Sequence, residues 1–141
     1  MINPYEMVSR SALPALRAMV AKRMQKDYHM TQQQVAKRLG VTQASVSNYA
    51  RHARGSMIDF ETDPTVSNAA DKIAEMLSSS TPDERGALRV MTEVCDYIRF
   101  NRLMCTLHED LDPGYDTSSC AACEGVLSGK EFERLKIVVG Q

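Results

Sequence analysis

Gly40 stands between two short amphipathic segments, TQQQVAKRLG and VTQASVSNY, and this junction constrains the fold more than any other feature of the chain. Val35, Ala36 and Leu39 share one face of a helix opening at Thr31, and Val41, Val46 and Tyr49 supply the matching face after the turn. Ala36 is small enough for two helices crossing at about 90–120° to touch there, and glycine suits the tight turn between them. Thr31 and Thr42 occupy the two N-cap positions, where a hydroxyl accepts a bond from an otherwise unpaired backbone N–H. The outward residues of the second helix are Gln43, Ser45, Ser47, Asn48 and Arg51, short or amide-bearing groups suited to base edges and phosphates. A merely solvated face would carry more Glu and Lys. The pattern therefore predicts a helix-turn-helix whose second helix enters the major groove of double-stranded DNA.

The net charge of −1 conceals a segregation. Residues 1–55 carry +7 and residues 56–141 carry −8, so polyphosphate is attracted to the half that holds the motif. The candidate DNA contacts are Gln32, Gln33, Thr42, Gln43, Ser45, Ser47, Asn48 and Arg51, with Arg17, Arg23 and Arg54 placed to reach phosphates.

Along the chain, three units are expected: a DNA-binding domain over 1–55, a helical segment over 64–102 that forms a dimer surface, and a cysteine-rich segment over 103–141. A first helix is predicted from near Leu13 to Lys26, with Pro14 in its first turn and Leu13, Leu16, Val20 and Met24 as its apolar stripe. Gly55 would end the recognition helix, and residues 56–63 read as a linker. Two further helices carry Val66, Ala70, Ile73 and Leu77, then Leu88, Met91, Cys95 and Ile98, on faces larger than the small N-terminal domain can cover. Leu103 to Glu124 loses periodicity and reads as loop, and Ser128 to Glu131 opens a last amphipathic helix bearing Phe132, Leu135, Ile137 and Val138. Strand signal is nearly absent, so the fold class is all-α. No apolar run approaches a membrane span and no secretory pattern opens the sequence, which makes a cytoplasmic protein the expectation.

All four cysteines fall within 29 residues, outside the DNA-reading half. Cys105-x2-His108 and Cys120-x2-Cys123 are two ligand pairs, each able to direct both donors at one ion, and the polar loop between them needs a cross-link to be ordered. Zinc would take Cys105, His108, Cys120 and Cys123, leaving Cys95 as a small buried residue of its helix. A 4Fe–4S cluster would take Cys95, Cys105, Cys120 and Cys123, with His108 as a neighbour. Spacing alone leaves both open. His29 and His52 have no ligand partner nearby in sequence, and no nucleophile elbow, phosphate loop or paired carboxylates indicate an enzyme.

Thr31-Gln32, Val35-Ala36, Leu39-Gly40-Val41-Thr42, Val46-Ser47 and Tyr49 together resemble the helix-turn-helix of Xre and phage-repressor regulators. The preceding LPALRAMVAKRMQK and the Cys/His spacing are similar to a group of predicted archaeal transcriptional regulators with a cysteine-rich C-terminal segment. That second resemblance implies a cysteine ahead of the Cys-x2-His, as Cys95 is, and so favours the iron-sulfur set; a further cysteine three residues earlier is replaced here by Thr92. Sequence and resemblance lead to one expectation: a homodimeric, sequence-specific DNA-binding transcriptional regulator with an iron-sulfur or zinc site that would respond to redox state or iron. The alternative is a protein-interaction adaptor that keeps the motif as a scaffold.

Overall fold

The computed structural model describes residues 1–51, 58–123 and 140. The described residues form an α-helical fold without strands. Gly55, the Ser128–Glu131 capping pattern and the helix expected around Phe132 to Val138 lie outside them.

The first helix begins earlier than the sequence suggests. α1 (Pro4–Met7), a π-helical turn (Val8–Ala12) and α2 (Leu13–Asp27) run on from one another, and the start is set by Asn3, whose side chain accepts from the Tyr5 N–H in a capping box with Glu6. Pro14 is thus an interior residue. It has no N–H to give the Arg10 carbonyl, and its ring crowds that carbonyl in a regular turn. The widened turn just before it, in which the Leu13 N–H reaches back to Val8 O, relieves the conflict without ending the helix.

α2 is the central element. Leu16, Val20, Ala21 and Met24 are fully buried, and α3 (Gln32–Leu39), α4 (Gln43–Ala50) and α5 (Pro64–Ser78) all pack on it. α6 (Glu84–Phe100) packs along α5 and reaches the π turn. The periodic residues Val66, Ala70, Ile73 and Leu77 of α5 are therefore used inside the chain, in a core continuous from Met7 to Leu107; of the stripe expected on α6 only Cys95 and Ile98 are buried, and Val90 and Val94 take the inner face in place of Leu88 and the half-buried Met91. The α5 face expected to meet a partner packs on α2 and α6, while Leu88 of α6 stays 67% exposed. The boundary between a 1–55 unit and a 64–102 unit does not divide the core. Phe60, expected in a linker, is also buried.

Polar groups lock these helices together. Asp63 caps α5 by accepting from the Val66 N–H (3.1 Å) and also accepts from the Tyr97 hydroxyl of α6 (3.2 Å). Arg23 of α2 donates to both carboxylate oxygens of Glu61 (2.9 Å each), to Asp71, to Ser67 Oγ (3.1 Å) and to Met19 O (3.2 Å). The bond from Arg23 holds the Glu61 carboxyl below its ordinary range. A carboxylate lowered in the folded state contributes stability above its unfolded pKa of about 4.3, and that contribution disappears as pH falls through the lowered value. Glu61→Gln is accordingly expected to flatten the acid limb of a stability-against-pH curve; identical limbs in the two proteins would show that the brace carries no linkage.

The tail also differs from expectation. Cys105 to Leu111 form α7 rather than loop. Met104 and Leu107 give the segment a short apolar anchor in the core, too brief to register as a periodic stripe.

Candidate nucleic-acid interface and cysteine segment

The turn between α3 and α4 follows from local chemistry. Thr31 Oγ1 accepts from the Gln34 N–H (3.2 Å) while Gln34 Oε1 accepts from the Thr31 N–H (2.9 Å). At the other end of α3 Gly40 adopts φ 67°, and the Val41 N–H reaches back to Ala36 O (3.0 Å), a left-handed ending that glycine adopts at little cost. Thr42 then caps α4, accepting from the Ser45 N–H (3.1 Å).

The inner face of α4 is Ser45, Val46 and Tyr49. Ser45 thus departs from the outward set: it is 9% exposed and its hydroxyl lies 2.9 Å from Thr42 Oγ1. The reason is phase, since position 45 lies nearer in angle to Val46 and Tyr49 than to Ser47 or Arg51 at 100° per residue. Thr42, Gln43 and Arg51 are exposed, Ser47 and Asn48 half-buried, and Arg51 donates to Asn48 Oδ1 at 2.6 Å. Gln33 is exposed and Gln32 half-buried at the start of α3.

The exposed Ala44 was absent from the candidate contacts. Its methyl lies on the outer face beside Gln43 and Ser47, where it suits the thymine methyl group. Composition hides it, because alanine is equally at home in a core, and the helical phase of α4 is the signal that finds it. Lys37 is exposed in the last turn of α3 and adds charge beside the motif.

One arginine assigned to phosphate is engaged within the fold. Arg23, with its side chain 13% exposed, is held in the brace to Glu61 and Asp71. Arg17 is half-buried and close enough to Cys95 for its charge to act on that thiol. The Arg23 brace follows from α5 packing on α2, which a pattern of local spacings does not reveal. Arg54 and His52 lie outside the described residues.

In the cysteine segment, two residues after the end of α6, Arg102 turns the chain as a non-glycine residue at φ 59°. Its guanidinium donates to Cys120 O (2.9 Å) and to Thr117 O, drawing the 117–120 turn towards α7. Thr117 in turn donates to Glu109. Cys105 and His108 are three residues apart on α7, hence on one face. The His108 ring stacks on Tyr115 with centroids 4.7 Å apart, and the Tyr115 hydroxyl donates to Cys120 Sγ at 2.9 Å. Burial pushes the Cys105 thiol up; Arg102 opposes this, while Cys123, Cys120 and Glu109 act in the same direction as burial, which marks them as electrostatic neighbours of Cys105.

Cys95 is separate from this group. It is 7% exposed in the α6 core, and burial pushes its thiol up to about 12, with Asp96 and Arg17 as its charged neighbours.

Among the described residues no three Cys, His, Asp or Glu side chains converge on a common point that would hold an ion. One feature nevertheless suits a metal. His108 Nε2 is buried without a hydrogen-bond partner among the described residues, the Asp112 carboxylate standing 3.9 Å away. An orphaned imidazole nitrogen with thiols near it is the donor chemistry that zinc prefers.

Residues 14–56 match the family model of the ParB helix-turn-helix domain, a span that takes in α2, α3 and α4. The N-terminal part of the chain is a helix-turn-helix DNA-binding domain. No curated protein and no solved structure matches the chain. No helix among the described residues is long and apolar enough to cross a membrane.

Proposed function

We propose that the protein is a sequence-specific transcriptional regulator that binds duplex DNA as a homodimer, with a C-terminal segment stapled by a metal ion. The observation that carries this is the outer face of α4, where Gln43, Ala44, Ser47 and Arg51 combine amide, methyl, hydroxyl and guanidinium groups without a single carboxylate. Such a face matches base edges and repels nothing on a polyanion. One recognition helix covers too few base pairs to be selective, so paired half-sites about one helical turn apart are expected.

Gln43→Ala should cost about 1–3 kcal/mol of discrimination at one operator position. Lys37→Ala should weaken binding to all sequences and lower the salt slope by about 1. Binding of selected duplexes by the purified protein, measured against salt, checks both. A folded protein with no affinity for any duplex would instead favour the adaptor, in which the motif is a scaffold.

For the metal, the set supported best is Cys105, His108, Cys120 and Cys123 with zinc. The electrostatic neighbours of Cys105 are Cys120 and Cys123, and His108 is tied to Cys120 through Tyr115. When bound, zinc would supply a fixed cross-link between α7 and the turn that follows it. An iron-sulfur cluster on Cys95, Cys105, Cys120 and Cys123 is the second possibility, and it requires Cys95 to leave the α6 core.

A further inference from the structure

Three of the proposed zinc ligands are cysteines, Cys105, Cys120 and Cys123, and all three are half-buried, so exposure does not rank their reactivity. Their bonding does. Tyr115 donates its hydroxyl proton to Cys120 Sγ at 2.9 Å, and among the described residues no hydrogen-bond donor reaches the sulfur of Cys105 or Cys123. Arg102 adds charge near Cys105 while its guanidinium donates to the Thr117 and Cys120 carbonyls. The Tyr115 contact is fixed from both sides. The Tyr115 ring stacks on His108 with planes 16° apart, and its N–H donates to Asp112 O (3.1 Å). The Cys120 N–H donates to Thr117 O (3.2 Å), and the Cys120 carbonyl accepts from Arg102 (2.9 Å).

We propose that Tyr115 shields Cys120, so that electrophiles enter the zinc site at Cys105 or Cys123. This rests on the zinc reading and goes beyond it by ranking the ligands and naming the residue that sets the rank. A ligating cysteine is a thiolate, which has no proton, so in the loaded site Tyr115 is the donor of this bond. In alkylation by iodoacetamide a sulfur lone pair forms the S–C bond and iodide leaves with the C–I electron pair; the product is a neutral thioether, and the site loses an anionic ligand. Cys120 keeps a lone pair able to attack, and Tyr115 acts on it by drawing charge from the sulfur. A hydrogen bond to an anion is about twice as strong as one between neutral groups, and a thiolate stabilised about tenfold attacks about threefold more slowly. Tyr115 touches two ligands from two elements, His108 of α7 and Cys120 of the following turn, as a positioning residue whose ring and hydroxyl have separable effects.

The test is a brief exposure of the zinc-loaded, full-length protein to iodoacetamide, with the first site of modification mapped by mass spectrometry on singly alkylated chains. Cys120 is expected to react about threefold or more slower than Cys105 and Cys123. Tyr115→Phe keeps a ring against His108 and removes the donor, so Cys120 is expected to speed up by about threefold or more, with the rates at Cys105 and Cys123 and the zinc content unchanged. A merely structural role would raise all three rates together. Cys120 as fast as the other two in the wild type, an unchanged Cys120 in Tyr115→Phe, a uniform rise at all three sulfurs or zinc lost from Tyr115→Phe would each overturn the inference while leaving the zinc site in place. If the folded wild type holds no stoichiometric zinc, the zinc reading itself fails, and the inference with it.

Discussion

Ile73→Ala is expected to destabilise the whole described fold by about 2–5 kcal/mol, and to melt the helix-turn-helix in the same transition as α5 and α6. Ile73 is fully buried on α5, the helix that covers α2, and α2 is also the first helix of the DNA-binding domain. Removing three carbons from a closed site loses their transfer free energy and leaves a cavity that the rigid neighbours fill only in part. A domain of this size has about 5–15 kcal/mol in total, so the loss would be a large fraction of it. The measurement is denaturant unfolding followed both by circular dichroism and by DNA binding. Two separated transitions, with DNA affinity surviving the first, would mean that residues 1–55 fold alone and that the core does not couple them to α5 and α6. For the same reason a fragment ending at residue 55 is expected not to fold, because it exposes the side of α2 that carries the buried Leu16 and Val20.

His108→Ala is expected to abolish tight, stoichiometric zinc binding, whereas Cys95→Ala should leave zinc content unchanged and cost only packing. Structural zinc sites in small domains are worth on the order of 10–16 kcal/mol of apparent binding free energy, and losing one of four ligands removes much of it. The His108 ring would also vacate its stack on Tyr115 and with it the support for Cys120. Zinc content by elemental analysis, with hydrogen exchange across 103–123, checks the expectation. The iron-sulfur alternative reverses the two results: a coloured protein that loses its absorption in Cys95→Ala and keeps it in His108→Ala. A colourless zinc protein whose DNA affinity is the same before and after oxidant would make the site a staple rather than a sensor.

Much of the N-terminal domain was legible in the sequence because its determinants are local. Thr31 with Gln34, Gly40, and Thr42 act over three to five residues, and their chemistry admits few alternatives: a hydroxyl at a helix start, an αL position at a helix end. The same holds for the amphipathic face of α5, whose buried residues fall where the 3.6-residue period puts them, whereas on α6 the inner face is shifted: Val90 and Val94 are buried and the expected Leu88 is exposed. The period does not say what a face meets. The face of α5 reads equally well as covering a partner or covering α2, and the three-dimensional path of the chain sets it on α2 and α6.

The charged and polar residues depended most on tertiary structure. Arg23, in a basic helix next to a DNA-binding motif, has the sequence signature of a phosphate contact, and it is drawn away by Glu61 and Asp71, 38 and 48 positions further on. Ser45 and Ala44 exchange the places that their polarity suggests, because helical phase rather than hydropathy decides which of two neighbours faces out. Cys95 shares a residue type and a spacing with the other cysteines but not their surroundings, since one helix face buries it while α7 and the turn held by Arg102 gather Cys105 and Cys120 elsewhere. By itself the sequence determined the motif, its caps, the helical periods and the donor types in the tail, all set by interactions within a turn or two of chain. Which arginine is braced within the fold, which cysteine stays in the core and what a face covers were decided only by tertiary packing, because each depends on a partner dozens of residues away.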